Sequence, residues 1–181
     1  MFEIELCLEQ GLSWPNIQFN HPAVLVESVC MSDLIKKELW RIDVNIGDIE
    51  LNYINKSADE TVIGSDGNII QDQTVAIENC WYQGIKIHND MLIKLGNYYP
   101  CYRNDFLNYC NENNIVVDHG PLNCLKFWHA GSWKFNLCDN FWPFYAQQRK
   151  MQNIQASSAK DFVGYSTDQI VLQLKKLKEM I

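Results

Sequence analysis

The sequence predicts an all-β fold: an antiparallel β-sandwich, jelly-roll-like, with one short helix and a C-terminal amphipathic helix. Three observations carry that prediction. The run Ile49–Ile87 reads as short alternating strands joined by acidic, Gly-containing turns. The N-terminus is a period-two strand, with Phe2, Ile4, Leu6 and Leu8 on one face and Glu3, Glu5, Cys7 and Glu9 on the other. Two sharp turns, Gly64-Ser65-Asp66-Gly67-Asn68 and Ala130-Gly131-Ser132, sit between apolar runs and read as hairpin loops.

The elements follow in order. Gly11 to Pro15 break the first strand, and Ala23–Cys30 is a second, β-branched run. Alternation resumes around Trp40-Arg41-Ile42-Asp43-Val44, and then in Ile49, Leu51 and Tyr53. A five-residue loop at Gly64–Asn68 sets Ile63 opposite Ile69, Val62 opposite Ile70, Thr61 opposite Gln71 and Glu60 opposite Asp72. Two carboxylates across a ladder repel, so the loop splays there or something positive sits between them. Gln73–Tyr82 is a long strand with Val75, Ile77 and Trp81 on one face, returned through Gln83-Gly84 to Ile85–Ile87.

Phe106, Leu107 and Cys110 sit at three- and four-residue spacing, which predicts a short helix within 102–111. Leu122–Leu137 reads as a hairpin in which Leu125 meets Leu137, Phe127 meets Phe135 and His129 meets Trp133. That register keeps the faces consistent and leaves Trp128 on the polar face beside Lys134, with Lys126 against Asn136. Phe141–Tyr145 closes the β region. Ser166 and Gln169 form a capping box, and Ile170, Leu174, Leu177 and Ile181 form one apolar stripe. The division is a sandwich domain over 1–149, a connector over 150–165 and a terminal helix over 166–181. The terminal stripe docks on the sandwich or on another chain.

With 181 residues, 47% hydrophobic and 20% charged, the chain is long enough for one domain with a sizeable core. A formal net charge of −7 argues against a surface that tracks nucleic-acid phosphates. The N-terminus has neither the basic n-region nor the apolar h-region of a signal peptide, and no apolar run reaches the length of a membrane span. The expectation is a soluble protein made in the cytoplasm. Seven dispersed cysteines, an odd number without a CxxC, read as mostly buried free thiols in a reducing compartment.

Catalytic signatures are absent from the sequence. The four histidines show no HxH, HxxH or HExxH spacing, Asp118-His119-Gly120-Pro121 is turn chemistry, and there is no GxSxG, P-loop or GxGxxG. Two constellations remain. Asp59, Glu60 and Asp72, with Asp66 and Asn68, cluster hard oxygen donors around one turn; this is either a calcium site or a solvated acidic turn that blunts an edge. Trp128, with Lys134 and Asn136, offers a flat aromatic face and hydrogen-bonding neighbours; it is either a platform for a sugar ring or half of a cation–π pair with Lys134.

Within Ile49–Ile87, Asn55 ends a strand, Asp59 and Glu60 follow in an acidic loop, and Asp72-Gln73-Thr74-Val75-Ala76-Ile77 leads to Gly84. This resembles small calcium-dependent carbohydrate-binding β-sandwich modules of the xylan-binding type. The same stretch, followed by Trp133-Lys134-Phe135 and Pro143-Phe144-Tyr145, also resembles small β-sandwich proteins of tailed bacteriophages. The resemblances imply a non-enzymatic, glycan-binding module on a virion, with calcium at Asp59, Glu60 and Asp72. The other expectation is a structural or assembly protein of the particle, partnered by virion proteins or by itself through Ile170, Leu174, Leu177 and Ile181.

Overall fold

A computed structural model of the chain describes residues 1–54 and 56–161. The expectations for Asn55, the capping box and the terminal apolar stripe lie outside these residues. Two compact units divide at Asp139.

The first unit is an antiparallel β-sandwich. Its strands are β1 (Phe2–Glu9), β2 (Asn16–Phe19), β3 (Ala23–Cys30), β4 (Ile35–Ile42), β5 (Gly47–Ile54), β6 (Thr61–Ile63), β7 (Ile69–Asp72), β8 (Thr74–Tyr82), β9 (Ile85–Ile87), β10 (Asn97–Pro100), β11 (Lys126–Phe127) and β12 (Gly131–Leu137). A 3-10 turn spans Ala58–Glu60, and two helices, α1 (Asn89–Leu95) and α2 (Asn104–Glu112), interrupt the strands. One sheet runs β11-β8-β1-β4-β3 with β9 also on β8; the other runs β10-β12-β5-β2; β6 and β7 form a separate two-stranded ribbon.

The core lies between the two large sheets. Phe2, Ile4, Leu6 and Leu8 are buried from one side, and Ile49, Leu51, Tyr53, Trp133, Phe135 and Leu137 from the other. Phe2 meets Phe135 at 6.2 Å between ring centroids, and Tyr98 stacks on Phe127 at 4.3 Å. The alternation expected in β1 is observed without exception.

Three local expectations are corrected. In β8, Leu6 pairs with Ile77 while Glu5 pairs with Asn79, so the strand carries an extra residue at Glu78. That bulge reverses the phase. Cys80 and Tyr82 point into the core, whereas Trp81, expected there, faces outward beside Lys86. In the ribbon, Ile63 pairs with Ile69 as expected, but Val62 pairs with Gln71 and Thr61 with Asp72. Ile70 is the extra residue, so Glu60 does not face Asp72.

The third correction concerns Leu122–Leu137, which is not a hairpin. β11 pairs with β8, and β12 pairs with β10 and β5, so the chain crosses from one sheet to the other at residues 128–130. Facing sheets reproduce the pattern that a hairpin explains: Phe127 and Phe135 both enter the core, but from opposite layers. Face consistency therefore does not distinguish folding back from crossing over.

The second unit contains α3 (Phe141–Asp161), a helix where the end of the β region and the start of a connector were expected. The aromatic run favours β by propensity, yet its rings meet at helical spacing: Phe141 with Tyr145 at 5.9 Å and Trp142 with Tyr145 at 5.4 Å. Pro143 lies in the first turn, where its missing N–H has no intrahelical acceptor to lose. Among the described residues no helix is long and apolar enough to cross a membrane.

Candidate functional site

The crossing at residues 128–130 builds the site. These residues leave one ladder before joining the next, so their carbonyls need other donors. Lys56 Nζ donates to Trp128 O at 2.6 Å, Tyr98 Oη donates to His129 O, and Cys101 N donates to Ala130 O at 2.7 Å. With its backbone fixed in this way, the segment presents two side chains. Trp128 is 51% exposed, and the His129 ring packs against Tyr102 at 4.8 Å and Phe106 at 4.7 Å.

A cleft of about 700 Å³ opens there. The β6–β7 ribbon supplies one wall through Thr61, Ile63 and Ile69, α2 supplies another through Asp105, Phe106 and Tyr109, and Trp128 and His129 complete it. Lys56 and Asp72 also line it. The size and the mixture of apolar walls with few polar groups are those of a small-molecule site.

The charges in the cleft are paired. Lys56 Nζ lies 2.6 Å from Asp72 Oδ1, and the two side chains are only 7% and 12% exposed. Lys56 also donates to Gln73 O at 2.9 Å, and Thr61 Oγ1 donates to Asp72 at 2.6 Å. Burial pulls the Lys56 ammonium below its ordinary value, and Asp72 opposes that shift. At the rim Arg103 grips Asp105 with two hydrogen bonds, Nε at 3.0 Å and Nη2 at 2.6 Å. Arg103 holds the Asp105 carboxyl below the usual carboxylate range. His129 is lowered by burial, then by Lys56 and Arg103, against Asp72.

A buried polar network underlies the floor. Tyr53 Oη donates to Gln73 Oε1 at 2.9 Å, and Gln73 Nε2 donates to Ser13 O at 3.0 Å. Ser13 in turn donates to Glu60 through N at 2.9 Å and Oγ at 2.7 Å. Burial alone would raise the Glu60 carboxyl; the hydrogen bonds from Ser13 and Leu12 and the charge of Lys56 outweigh it and lower it. Gly11 permits the approach of the two segments, because a Cβ there would stand 2.4 Å from Glu60 O.

Of the two residue sets read from the sequence, neither stays together. Trp128 lines the cleft. Lys134 and Asn136 lie on β12 in the other sheet, where Lys134 pairs with Glu50 at 3.4 Å and Asn136 donates to Asp48 at 2.6 Å. The cation over the Trp128 ring is Lys126, at 5.7 Å, not Lys134, which lies over Tyr99 at 5.9 Å. Asp59, Glu60 and Asp72 do not form one donor set: Glu60 accepts from Ser13, Asp72 is neutralised by Lys56, and Asp59 is exposed on the 3-10 turn. The donors therefore do not fit calcium. Among the described residues no group of three or more His, Cys, Asp or Glu side chains is placed to hold a metal ion.

Lys56, Arg103, Asp105, Phe106, Tyr109 and His129 are the site residues that sequence reasoning missed. The three-residue spacing of Phe106 and Tyr109 on a predicted helix was the available signal; the partners of Lys56 lie up to 72 positions away and left none. No protein-family model, curated protein or solved structure matches the chain.

Proposed function

We propose that this protein is a non-catalytic binding module that takes an uncharged carbohydrate in the cleft beside Trp128. The observation that carries the reading is a tryptophan 51% exposed on the wall of a cleft whose charged side chains are already matched to one another. The electron-rich face of an aromatic ring attracts the polarised C–H groups of a sugar's apolar face. The Arg103–Asp105 pair at the rim retains free lone pairs and N–H groups for hydroxyls. An anionic ligand would have to compete with Asp72 for Lys56 or with Asp105 for Arg103.

Recognition in this reading needs no metal, because Lys56 supplies the positive charge at Asp72. The test is a glycan array followed by tryptophan-fluorescence titration, in calcium and in EDTA. A neutral glycan that binds equally in both supports the proposal. Binding restricted to acidic glycans would overturn the charge argument, and binding abolished by EDTA would overturn metal independence. Silence across the array would overturn the reading itself. A second reading, self-assembly, is favoured by the exposed edge of β3.

A further inference from the structure

We infer that the free edge of β3 pairs with the same edge of a second copy of this chain, antiparallel about a two-fold axis that passes between the two copies of Ser28. Among the described residues β3 ends its sheet, and all eight of its own residues are exposed. An edge strand carries a row of N–H and C=O groups with no ladder partner, and proteins usually blunt such edges with lysine, proline or a bulge. Between Leu25 and Cys30 there is none of these. Val24 and Val29 are each 60% exposed. The one carboxylate, Glu27, is engaged by Arg41 Nη1 at 3.0 Å. The single irregularity lies between Ala23 and Leu25, where Val24 is the extra residue.

The occupant follows from the pattern of the strand. Leu25 and Val29 lie on the face that carries Arg41 and Lys37, and Val26 and Cys30 on the face that carries Trp40 and Lys36. A strand added beside β3 meets apolar side chains on both faces, so it must itself be apolar on both faces. β3 has that character apart from Glu27 and Ser28, whereas its neighbour β4 carries Lys36, Lys37, Glu38 and Arg41.

Register selects the axis. A two-fold axis normal to the sheet keeps each face on its own side, so opposed residues share parity and the axis passes at the level of one residue, midway between its two copies. An axis at Val26 would need Ala23 and Val24 in regular alternation, which the bulge breaks. An axis at Glu27 would oppose two carboxylates across the ladder, which is unfavourable. An axis at Ser28 uses only the regular segment. It sets Glu27 opposite Val29 of the second copy, Val26 opposite Cys30, and Ser28 opposite Ser28.

Sedimentation velocity of the full chain across a concentration series tests this. The expected result is a dimer that dissociates on dilution. Val26→Lys and Val29→Lys, on opposite faces, should each leave a folded monomer at concentrations where the parent is dimeric, with an unchanged far-ultraviolet circular dichroism spectrum. Ser28→Cys probes the register without burying charge: mild oxidation should cross-link it to its own copy beyond the level seen for the parent. A monomer at every concentration would assign the edge to another occupant and overturn the proposal. A dimer insensitive to both lysines, or no added cross-link, would overturn it equally.

Discussion

Replacing Lys56 by methionine removes one ammonium from three acceptors while keeping most of the stem's volume. Asp72 then loses its 2.6 Å cation and keeps Thr61, and the carbonyls of Gln73 and Trp128 each lose a donor. Because the Lys56 side chain is 7% exposed and that of Asp72 12%, water replaces the lost contacts poorly. Breaking a buried pair from one side costs about 3–5 kcal/mol, set by the carboxylate left without a partner. With a urea dependence of about 2 kcal/mol/M, the unfolding midpoint should fall by about 1.5–2.5 M.

Equilibrium urea denaturation, followed by tryptophan fluorescence and circular dichroism together, measures that shift. The double variant Lys56→Met with Asp72→Leu should recover part of the loss, since the orphaned carboxylate is gone while the Trp128 carbonyl still lacks its donor and Gln73 O keeps only Tyr53 Oη, at 3.0 Å. The single variant should also weaken glycan binding, because Lys56 fixes the backbone that carries Trp128. A stability loss below about 1 kcal/mol, the range of exposed ion pairs, would show that the ammonium is solvated and that the cleft floor is not organised around it.

Trp128→Ala should lower glycan affinity at least about tenfold while leaving the urea midpoint nearly unchanged, as expected for an exposed ring; equal losses in both would recast Trp128 as a packing residue. His129 binds its proton less tightly folded than unfolded, so its contribution is complete above the ordinary imidazole value of about 6.5 and is lost as pH falls through the lowered one. Glu60, also lowered, adds a loss at more acidic pH, below the ordinary carboxylate range. Midpoints measured from neutral pH downward should show the first decline, and His129→Phe should remove it; an unchanged slope would exclude His129 as its source. The β8 bulge predicts that Trp81→Lys is tolerated within about 1 kcal/mol, whereas Tyr82→Lys, at a position 4% exposed, prevents folding. The reverse ranking would refute the phase change.

Period-two reading recovered the strands whose phase is unbroken. β1 and β5 appear where alternation placed them, because each is regular along its length; β3, placed by its β-branched run and not by alternation, appears despite the extra residue at Val24. Phase failed in β8 and in the ribbon, where one extra residue entered. The bulges at Glu78 and Ile70 have no local signature in composition, yet each moves every later side chain to the other face. The expected Glu60–Asp72 repulsion was a product of that missing residue. A positive charge stands at Asp72 for another reason: Lys56, from the segment before the 3-10 turn, pairs with it.

The crossing between sheets explains why the cleft lies where it does and why sequence reading could not find it. A tight hairpin would have satisfied its own backbone locally. A segment that changes sheets cannot, so its three carbonyls recruit a lysine, a tyrosine and a backbone amide from elsewhere in the chain. Those donors come from positions 56, 98 and 101 and converge only in space. Once they are in place, Trp128 has no ladder neighbour to cover its ring, and α2 and the β6–β7 ribbon stand as walls beside it. The exposed indole is thus the consequence of a topological step and the means of recognition proposed for it. The expectation of an exposed Trp128 came from the register of a hairpin that the chain does not form; its partners depended on which strand β11 joined.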